Sequence, residues 1–491
     1  MTAFVYNKLM YKSFILIFTL LIGLQAHAAK IIRGPYLQKL TKESIVVRFR
    51  TDVPAKIFVQ YGADVNQVNL RQDNYLFTAE HIVTLSKLKP NTKYFYEIYE
   101  ESTKGMKKLS TEKDTEYSFT TAPEVSEQNG LTVWVLGDPG VQSEQEFSKD
   151  RRKDQILVRD SFFSYLKKNQ IKKPGLMLTL GDNAYSFGTD EEFQKGFFEM
   201  YTSILPNTPL YTTFGNHDAG IRKDFVAFSA RSYPKPRGTY YDIFSLPDKK
   251  AYYSFDYGPV HFIVLDSFDS IWEEPLKVTE GSEKVWTKYS KESNLMLNWF
   301  ENDLKLNKSL WTIVAFHHPP YIDEEKKLQK KELWQAWTNA YLVPLVEKYK
   351  VDLVLCGHVH NYERSYPILS KLSKDGETEI TNKESSEMDE PIKYGFFYNK
   401  ENTLGPLKLP KYEASVESTS TKRYMKGTGT IYTILGSSGS AFKGVPKKTN
   451  PIFHVSTKKA GSILLEINQK RLEVKFITNR AEVLDEFSIQ K

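Results

Sequence analysis

Apolar and polar residues alternate along positions 30 to 122 with the two-residue period of half-buried strands, as in "SIVVRFRT" (44–51), "AKIFVQYG" (55–62), "TKYFYEIYE" (92–100) and "EYSFTTAP" (116–123). Turn-forming residues separate these runs and no segment of helical period interrupts them, which predicts a small all-β sandwich. The polar stretch "PEVSEQNG" (123–130) reads as a linker. Past it the pattern changes. Short apolar runs, "LTVWVLG" (131–137), "GLMLTLG" (175–181), "PLYTTFG" (209–215), "VHFIVLD" (260–266), "WTIVAF" (311–316), "VDLVLCG" (351–357) and "GTIYTILG" (429–436), alternate with segments of helical period. Helices are predicted over 150–168, 191–203, 291–306 and 331–349. Such alternation predicts an α/β domain over 131–491, with layers of strands flanked by helices and ligands gathered at the carboxyl ends of the strands. A Lys/Glu/Ser/Thr-rich passage over 370–426 breaks the rhythm and reads as an insertion loop. "SILLEINQKRLEVKFITN" (462–479) and "EVLDEFSI" (482–489) read as closing strands.

A length of 491 residues, with 40% hydrophobic and 26% charged positions, suits two or three globular units and does not suit disorder. Residues 1–28 carry Lys8 and Lys12, then "SFILIFTLLIGL", then the small-residue site "AHA", and are expected to be an export signal. The apolar run is too short to span a bilayer comfortably. An exported mature protein, periplasmic or extracellular and without a stable membrane span, is therefore expected. The formal charge of +7 falls by the two charges of Lys8 and Lys12 to +5, and the remaining lysines are scattered among glutamates, so no nucleic-acid partner is expected. The single cysteine, Cys356, excludes an intramolecular disulfide framework and reads as a small core residue.

The polar residues that end the apolar runs form one set. Asp138 follows the first, Asp182, Asn183 and Tyr185 the second, Asn216, His217 and Asp218 the third, His317 and His318 the fifth, and His358 and His360 the sixth. The chain holds nine histidines, and His81 and His261 read as structural. Carboxylates and imidazoles crowded at equivalent strand ends would cost several kcal/mol without cations, on the order of what any buried unpaired charge costs. A metal site makes sense of the set. Glycine precedes most of these residues, as expected where the backbone must turn sharply and come close to a ligand.

"GDPG", "GDNAY", "GNHD", "VAFH" and "GHVH", in this order, resemble the five-part signature of the metallophosphoesterase (calcineurin-like phosphoesterase) superfamily in its purple acid phosphatase form, marked by the tyrosine of "GDNAY". "HIVTLSKLKPNTKYFYEI" (81–98) resembles the end of a fibronectin type III domain, which also precedes the catalytic domain in some members of that family. The resemblance implies a layered β-sandwich flanked by helices behind a fibronectin type III-like sandwich over 30–122. It also implies two metals, the first held by Asp138, Asp182, Tyr185 and His360, the second by Asp182, Asn216, His317 and His358. The donor types fit Fe(III) at the first position and Zn, Mn or Fe(II) at the second. The implied reaction is hydrolysis of a phosphate monoester, a small-molecule substrate, by hydroxide generated at the metals. His217 is implied beside the phosphate and His318 is a candidate substrate contact. Asp218 reads as orienting an imidazole or capping a turn, Arg364 as pairing with Glu363 or binding phosphate, and Tyr321 as lining the pocket or packing. The alternatives are a phosphodiesterase or nucleotidase on the same core and a non-catalytic surface-binding protein.

Overall fold

The structure is a computed structural model that describes residues 28–103, 105–109, 117–126, 130–141, 151–219, 238–249, 252–268, 294–323, 333–380, 407–417, 421–439 and 450–491. The export segment expected at 1–28 lies, up to residue 27, outside them. Among the described residues no helix is long and apolar enough to cross a membrane.

The N-terminal part is the all-β sandwich that the alternation predicts, in β1 (Ile31–Gln38), β2 (Ser44–Gly62), β3 (Leu70–Ser86), β4 (Lys93–Ser102), β5 (Gly105–Lys108) and β6 (Ser118–Thr120). The long β2 organises it. β3 runs along one side of β2, while the other side takes β1 at Val46–Thr51 and β4 at Ile57–Gly62.

The remainder is built on two seven-stranded sheets. One contains β7 (Leu131–Leu136), β8 (Leu176–Thr179) and β9 (Leu210–Thr212), mutually parallel, continued by the antiparallel β20 (Gly461–Ile467), β21 (Arg471–Thr478) and β22 (Val483–Gln490) and the short β17 (Arg423–Met425). The other contains the parallel β11 (Val260–Val264), β12 (Trp311–Phe316), β13 (Leu353–Cys356) and β18 (Ile431–Leu435), with β10 (Tyr253–Tyr257) at one edge and β14 (Tyr362–Ser365) and β19 (Phe453–Thr457) at the other. The sheets face each other through stacked rings, Tyr211 on Phe255 at 3.6 Å and Tyr362 on Phe476 at 4.0 Å. Apart from Thr132 of β7, the parallel strands are buried throughout, so they read as continuous apolar runs rather than alternations. Each fully buried side chain of such a strand contributes roughly 1.5–3 kcal/mol.

Helix Arg151–Lys168 covers the first sheet, stacking Phe162 on Trp134 at 4.7 Å. Helix Leu295–Leu306 starts later than the predicted 291, where Asn294 caps it by accepting from Leu297 N–H at 2.9 Å. The segment predicted as one helix over 191–203 is shorter, Asp190–Gly196, and continues as a 3₁₀ turn at Phe198–Met200. Its start is a capping box, Thr189 with Glu192. The segment predicted over 331–349 is helical from Leu333 to Lys348 but widens to a π turn at Thr338–Leu342, just before Pro344, whose missing N–H cannot continue the ladder. The passage read as an insertion loop forms, in its described part, an antiparallel ribbon of β15 (Ile368–Ile380) and β16 (Leu407–Val416). Local composition gave no strand signal there because the ribbon stands apart from both large sheets.

Candidate metal centre

The five polar sets meet. β7, β8 and β9 of one sheet and β12 and β13 of the other end at the same rim, and the loops that follow bring Asp138, Asp182, Tyr185, Asn216, His217, His317, His318, His358 and His360 into one cluster. Backbone strain marks the ligand loops. Asp138, Asp182 and His358 adopt left-handed φ of 51°, 52° and 69°, a conformation that costs a non-glycine residue about 1 kcal/mol or more and persists only where its surroundings enforce it. Here neighbouring ligand loops enforce it: His358 N–H donates to Asp138 Oδ1 at 2.8 Å and His217 N–H donates to Asp182 Oδ1 at 2.9 Å. The glycines serve this packing. A Cβ on Gly357 would lie 2.5 Å from Asp138 Oδ1, and one on Gly215 would lie 2.3 Å from Asp182 Oδ1.

Two donor sets are distinguishable. In the first, the Tyr185 hydroxyl lies 3.0 Å from Asp138 Oδ2, 2.8 Å from Asp182 Oδ2 and 3.1 Å from His360 Nε2, while His360 Nε2 is 3.2 Å from Asp138 Oδ2. In the second, Asn216 Oδ1 is 3.1 Å from His317 Nε2 and 3.2 Å from His358 Nδ1, with His317 Nε2 also 3.3 Å from Asp182 Oδ2. Asp182 touches both sets. Ligand atoms that share one ion at about 2.0–2.2 Å stand about 3–3.5 Å apart, which is the spacing of these contacts.

The electrostatics point the same way. Burial, joined by the charges of Asp138 and Asp182, holds the Tyr185 phenol well above its ordinary value. Burial also works against a charge on Asp182, yet His317 and His217 outweigh it and hold this carboxyl well below the usual range. His317 is raised to about 9: burial opposes its proton and Asp182 more than compensates. A divalent ion would compete with that proton for Nε2. His317 Nδ1, 2.7 Å from Leu180 carbonyl oxygen, donates there and so turns Nε2 toward the cluster.

Around this core His217 packs on the Tyr185 ring at 4.4 Å and donates from Nδ1 to Ser186 carbonyl oxygen at 2.8 Å, which leaves Nε2 for another partner. His318 sits with His317 and His358, its nearest ring nitrogens all within 4.8 Å of one another. Ser267 Oγ accepts from His318 N–H at 3.0 Å and lies 2.9 Å from Nδ1. Burial and the adjacent His358 and His317 hold His318 well below the ordinary imidazole value.

Other residues take structural places. Asp218 orients no imidazole; it accepts from the N–H groups of Asn183, Ala184 and Gly215 and from the Asn183 side chain, tying two ligand loops together. Burial and the charge of Asp182 push Asp218 up to about 8. Arg364 is fully buried, paired through Nε and Nη2 with Asp485 at 2.6 and 2.9 Å, and so is not a phosphate contact. Tyr321 hydroxyl meets Ser370 Oγ at 2.6 Å. His81 and His261 are held by Thr51 and Asn74 and by Asp256 and Asp303, respectively. Sequence reasoning missed the loop Gly436–Gly439 after β18. Ser438 Oγ accepts from Gly137 N–H at 3.1 Å and donates to Gly461 carbonyl oxygen at 2.8 Å, and Gly439 N–H donates to Asp138 carbonyl oxygen at 3.0 Å. Its signal was available, since "GSSGS" ends a buried apolar run as the ligand loops do.

The calcineurin-like phosphoesterase family model matches residues 131–362. Purple acid phosphatase 21 of Arabidopsis thaliana is 27% identical over 294 residues, 59% of this chain and 54% of the relative. A second relative from that plant, called probable inactive purple acid phosphatase 1, is 25% identical over 316 residues, 62% of this chain and 46% of its own length. The chain thus spans about half the length of these curated relatives. The solved structure of a purple acid phosphatase from yellow lupin (Lupinus luteus) seeds shares the fold at a TM-score of 0.64 and 18% identity, covering 93% of this chain and 74% of that one.

Proposed function

We infer that this chain, which carries a calcineurin-like metallophosphoesterase domain with purple-acid-phosphatase-type relatives, is a binuclear-metal hydrolase of phosphoric esters. One observation carries the reading. His317 Nε2, His358 Nδ1 and Asn216 Oδ1 converge at 3.1 and 3.2 Å beside the buried carboxylates of Asp138 and Asp182, a gathering of nitrogen and oxygen donors of the kind that holds a cation.

The residues fit a cation pair. Asp138, Asp182, Tyr185 and His360 would hold one ion and Asp182, Asn216, His317 and His358 the other, with Asp182 between them. The phenol and two carboxylates of the first set suit a hard trivalent ion such as Fe(III), and the imidazoles and amide of the second suit Zn, Mn or Fe(II). When bound, such a pair supplies an activated water and neutralises the charge of a phosphoryl group. The protein's own part is positioning and proton handling. His217, fixed through Nδ1 and half-buried, offers Nε2 to a phosphoryl or leaving-group oxygen. His318, held by Ser267 beside His317 and His358, stands next to the second donor set, where it would serve as a substrate contact.

Within this class we read the substrate as a small phosphate monoester, because Tyr185 is the element that marks the purple acid phosphatase form, and the site of action as periplasmic or extracellular, because of the signal-like residues 1–28. A non-catalytic protein of the same fold is the second reading, raised by a relative named as probably inactive; the complete donor set argues against it. The test is metal analysis of the purified chain, with hydrolysis of an aryl phosphate and of its diester measured before and after chelation. About two ions per chain and chelator-sensitive hydrolysis favouring the monoester are expected. A chain that binds two ions yet hydrolyses neither ester would sink the catalytic reading, and a preference for the diester would overturn the monoester assignment.

A further inference from the structure

The N-terminal sandwich docks on the second domain through side chains that stand far from it in sequence. Tyr36 hydroxyl donates to Ile243 carbonyl oxygen at 2.6 Å, Tyr96 hydroxyl donates to Pro206 carbonyl oxygen at 2.8 Å, and Arg48 donates to Asp242 carbonyl oxygen at 2.6 Å. One contact differs from these in chemistry and in place. Arg33 and Arg50 together close on the Asp190 carboxylate: Arg33 Nη1 and Nη2 at 2.9 and 3.0 Å, Arg50 Nη1 and Nη2 at 2.6 and 2.8 Å. Arg33 is 2% exposed, so its charge is committed to this partner, and its Nε also donates to Gln194 Oε1 at 2.7 Å. Burial opposes the charge on Asp190, but the two guanidiniums lower its carboxyl to about 2.

Asp190 opens the short helix that follows the Tyr185 loop. Two positions further on, Glu192 turns back on that loop, its Oε1 accepting from Ser186 N–H at 2.6 Å and its Oε2 from Phe187 and Thr189 N–H at 3.1 and 2.9 Å. Ser186 carbonyl oxygen in turn receives His217 Nδ1–H, and the Gly188 backbone passes so close to His217 and Asp218 that a Cβ would stand 2.8 Å from both carbonyl oxygens. The path is continuous: guanidinium pair, Asp190, the two-residue step along the helix to Glu192, loop 186–189, then Tyr185 and His217. Its non-covalent links, from the guanidiniums to Asp190, from the loop N–H groups to Glu192 and from His217 to Ser186 carbonyl oxygen, are hydrogen bonds, the first two charge-assisted, the kind that fixes orientation and not merely distance.

We propose that the N-terminal sandwich is a positioning element of the catalytic centre, and that Arg33 and Arg50, by gripping Asp190, hold the loop that presents Tyr185 to the first cation and braces His217. This deepens the metallophosphoesterase reading and rests on it for its functional half. The sandwich is then more than a display module, because the Tyr185 loop borrows rigidity from a domain that contributes no ligand.

The experiment uses the full chain and compares wild type, the double variant Arg33→Ala/Arg50→Ala, and Tyr96→Phe, which removes a buried interdomain hydrogen bond away from Asp190. Hydrogen exchange across residues 183–192 is measured together with Zn(II) affinity by chelator competition. In the double variant, exchange at Ser186, Phe187 and Thr189 is expected to quicken at least tenfold and Zn(II) affinity to weaken about tenfold, the low end for residues that orient ligands. Tyr96→Phe should leave both unchanged. Wild-type exchange and affinity in a folded double variant would overturn the proposal, as would equal effects from Tyr96→Phe. If the double variant does not fold, Asp190→Asn is read by the same two measurements and the same criteria. A wild-type chain that binds no cation would remove the metal reading alone, and the exchange comparison would still uphold or overturn the coupling of the sandwich to the loop.

Discussion

Replacing Gly357 by alanine is the sharpest small perturbation that the site offers. Gly357 has no left-handed φ, so alanine brings no backbone strain of its own; the effect comes from one methyl group. That carbon would stand 2.5 Å from Asp138 Oδ1, 2.6 Å from Leu180 carbonyl oxygen and 3.0 Å from His317 Nδ1. Restoring ordinary contact at about 3.4 Å means moving Asp138 by about 0.9 Å, beyond the roughly 0.5 Å tolerance of a working constellation. Overpacking costs about 1–3 kcal/mol. Weakening the bonds from His358 N–H to Asp138 and from His317 Nδ1 to Leu180 adds about 0.5–1.5 kcal/mol each. A total near 2–6 kcal/mol is expected at the site, with cation affinity down about 10–100-fold. Chelator competition and calorimetric unfolding would measure both quantities, with Gly130→Ala as control, since no atom lies within 4 Å of a Cβ there. Gly130→Ala should be neutral or stabilise by up to about 1 kcal/mol. If Gly357→Ala binds two cations with wild-type affinity and melts with wild type, the argument that packing among the ligand loops sets the geometry is wrong.

Tyr185→Phe keeps the ring against His217 but removes the hydroxyl from between Asp138 and Asp182; affinity at the first position should fall, and with Fe(III) bound the visible charge-transfer band should vanish while the second ion remains, as read by absorption and metal analysis. Arg364→Met leaves the Asp485 carboxylate buried without its partner, so unfolding in denaturant should show a loss of about 3–5 kcal/mol, while ester hydrolysis per folded, metal-loaded chain stays within twofold because Arg364 bonds Asp485, Tyr424 and Thr421 and none of the donor residues. His81, lowered to about 4 by burial, contributes a pH dependence of fixed sign. The unfolded imidazole takes its proton near 6.5 and the folded one only near 4, so stability is full above about 6.5 and falls as pH drops toward 4. After allowance for screening the loss is about 2–3 kcal/mol, and His81→Gln should lack it, so the stability gap between variant and wild type must shift in the variant's favour between pH 7 and 4.5.

Much of the metal centre was legible because each ligand sits where a fully buried strand stops. A continuous apolar run such as "WTIVAF" or "VDLVLCG" announces a strand covered on both faces, and a polar residue at its end must find a partner at the rim. The long helix at 151–168 was equally plain, its buried positions Gln155, Val158, Phe162 and Leu166 recurring every three or four residues. Other features were not. Three-residue and four-residue strands such as β17 and β14 carry too little pattern to be told from loops, and the ribbon of β15 and β16 has no large sheet behind it to impose an apolar period. The reading of Asp218 missed its role because its four donors come from three residues in two loops, one of them 35 positions away in sequence.

The order of residue types along this chain was enough to pick out candidate cation ligands, and to show that they follow buried strands and that an all-β unit precedes them, because periodicity records burial and burial is a local property of each segment. Tertiary structure alone decided which distant partners other side chains meet: Arg364 with Asp485 across 121 positions and Arg33 with Asp190 across 157. Those choices follow from sheet order and domain docking, which bring together segments whose local patterns carry no trace of one another.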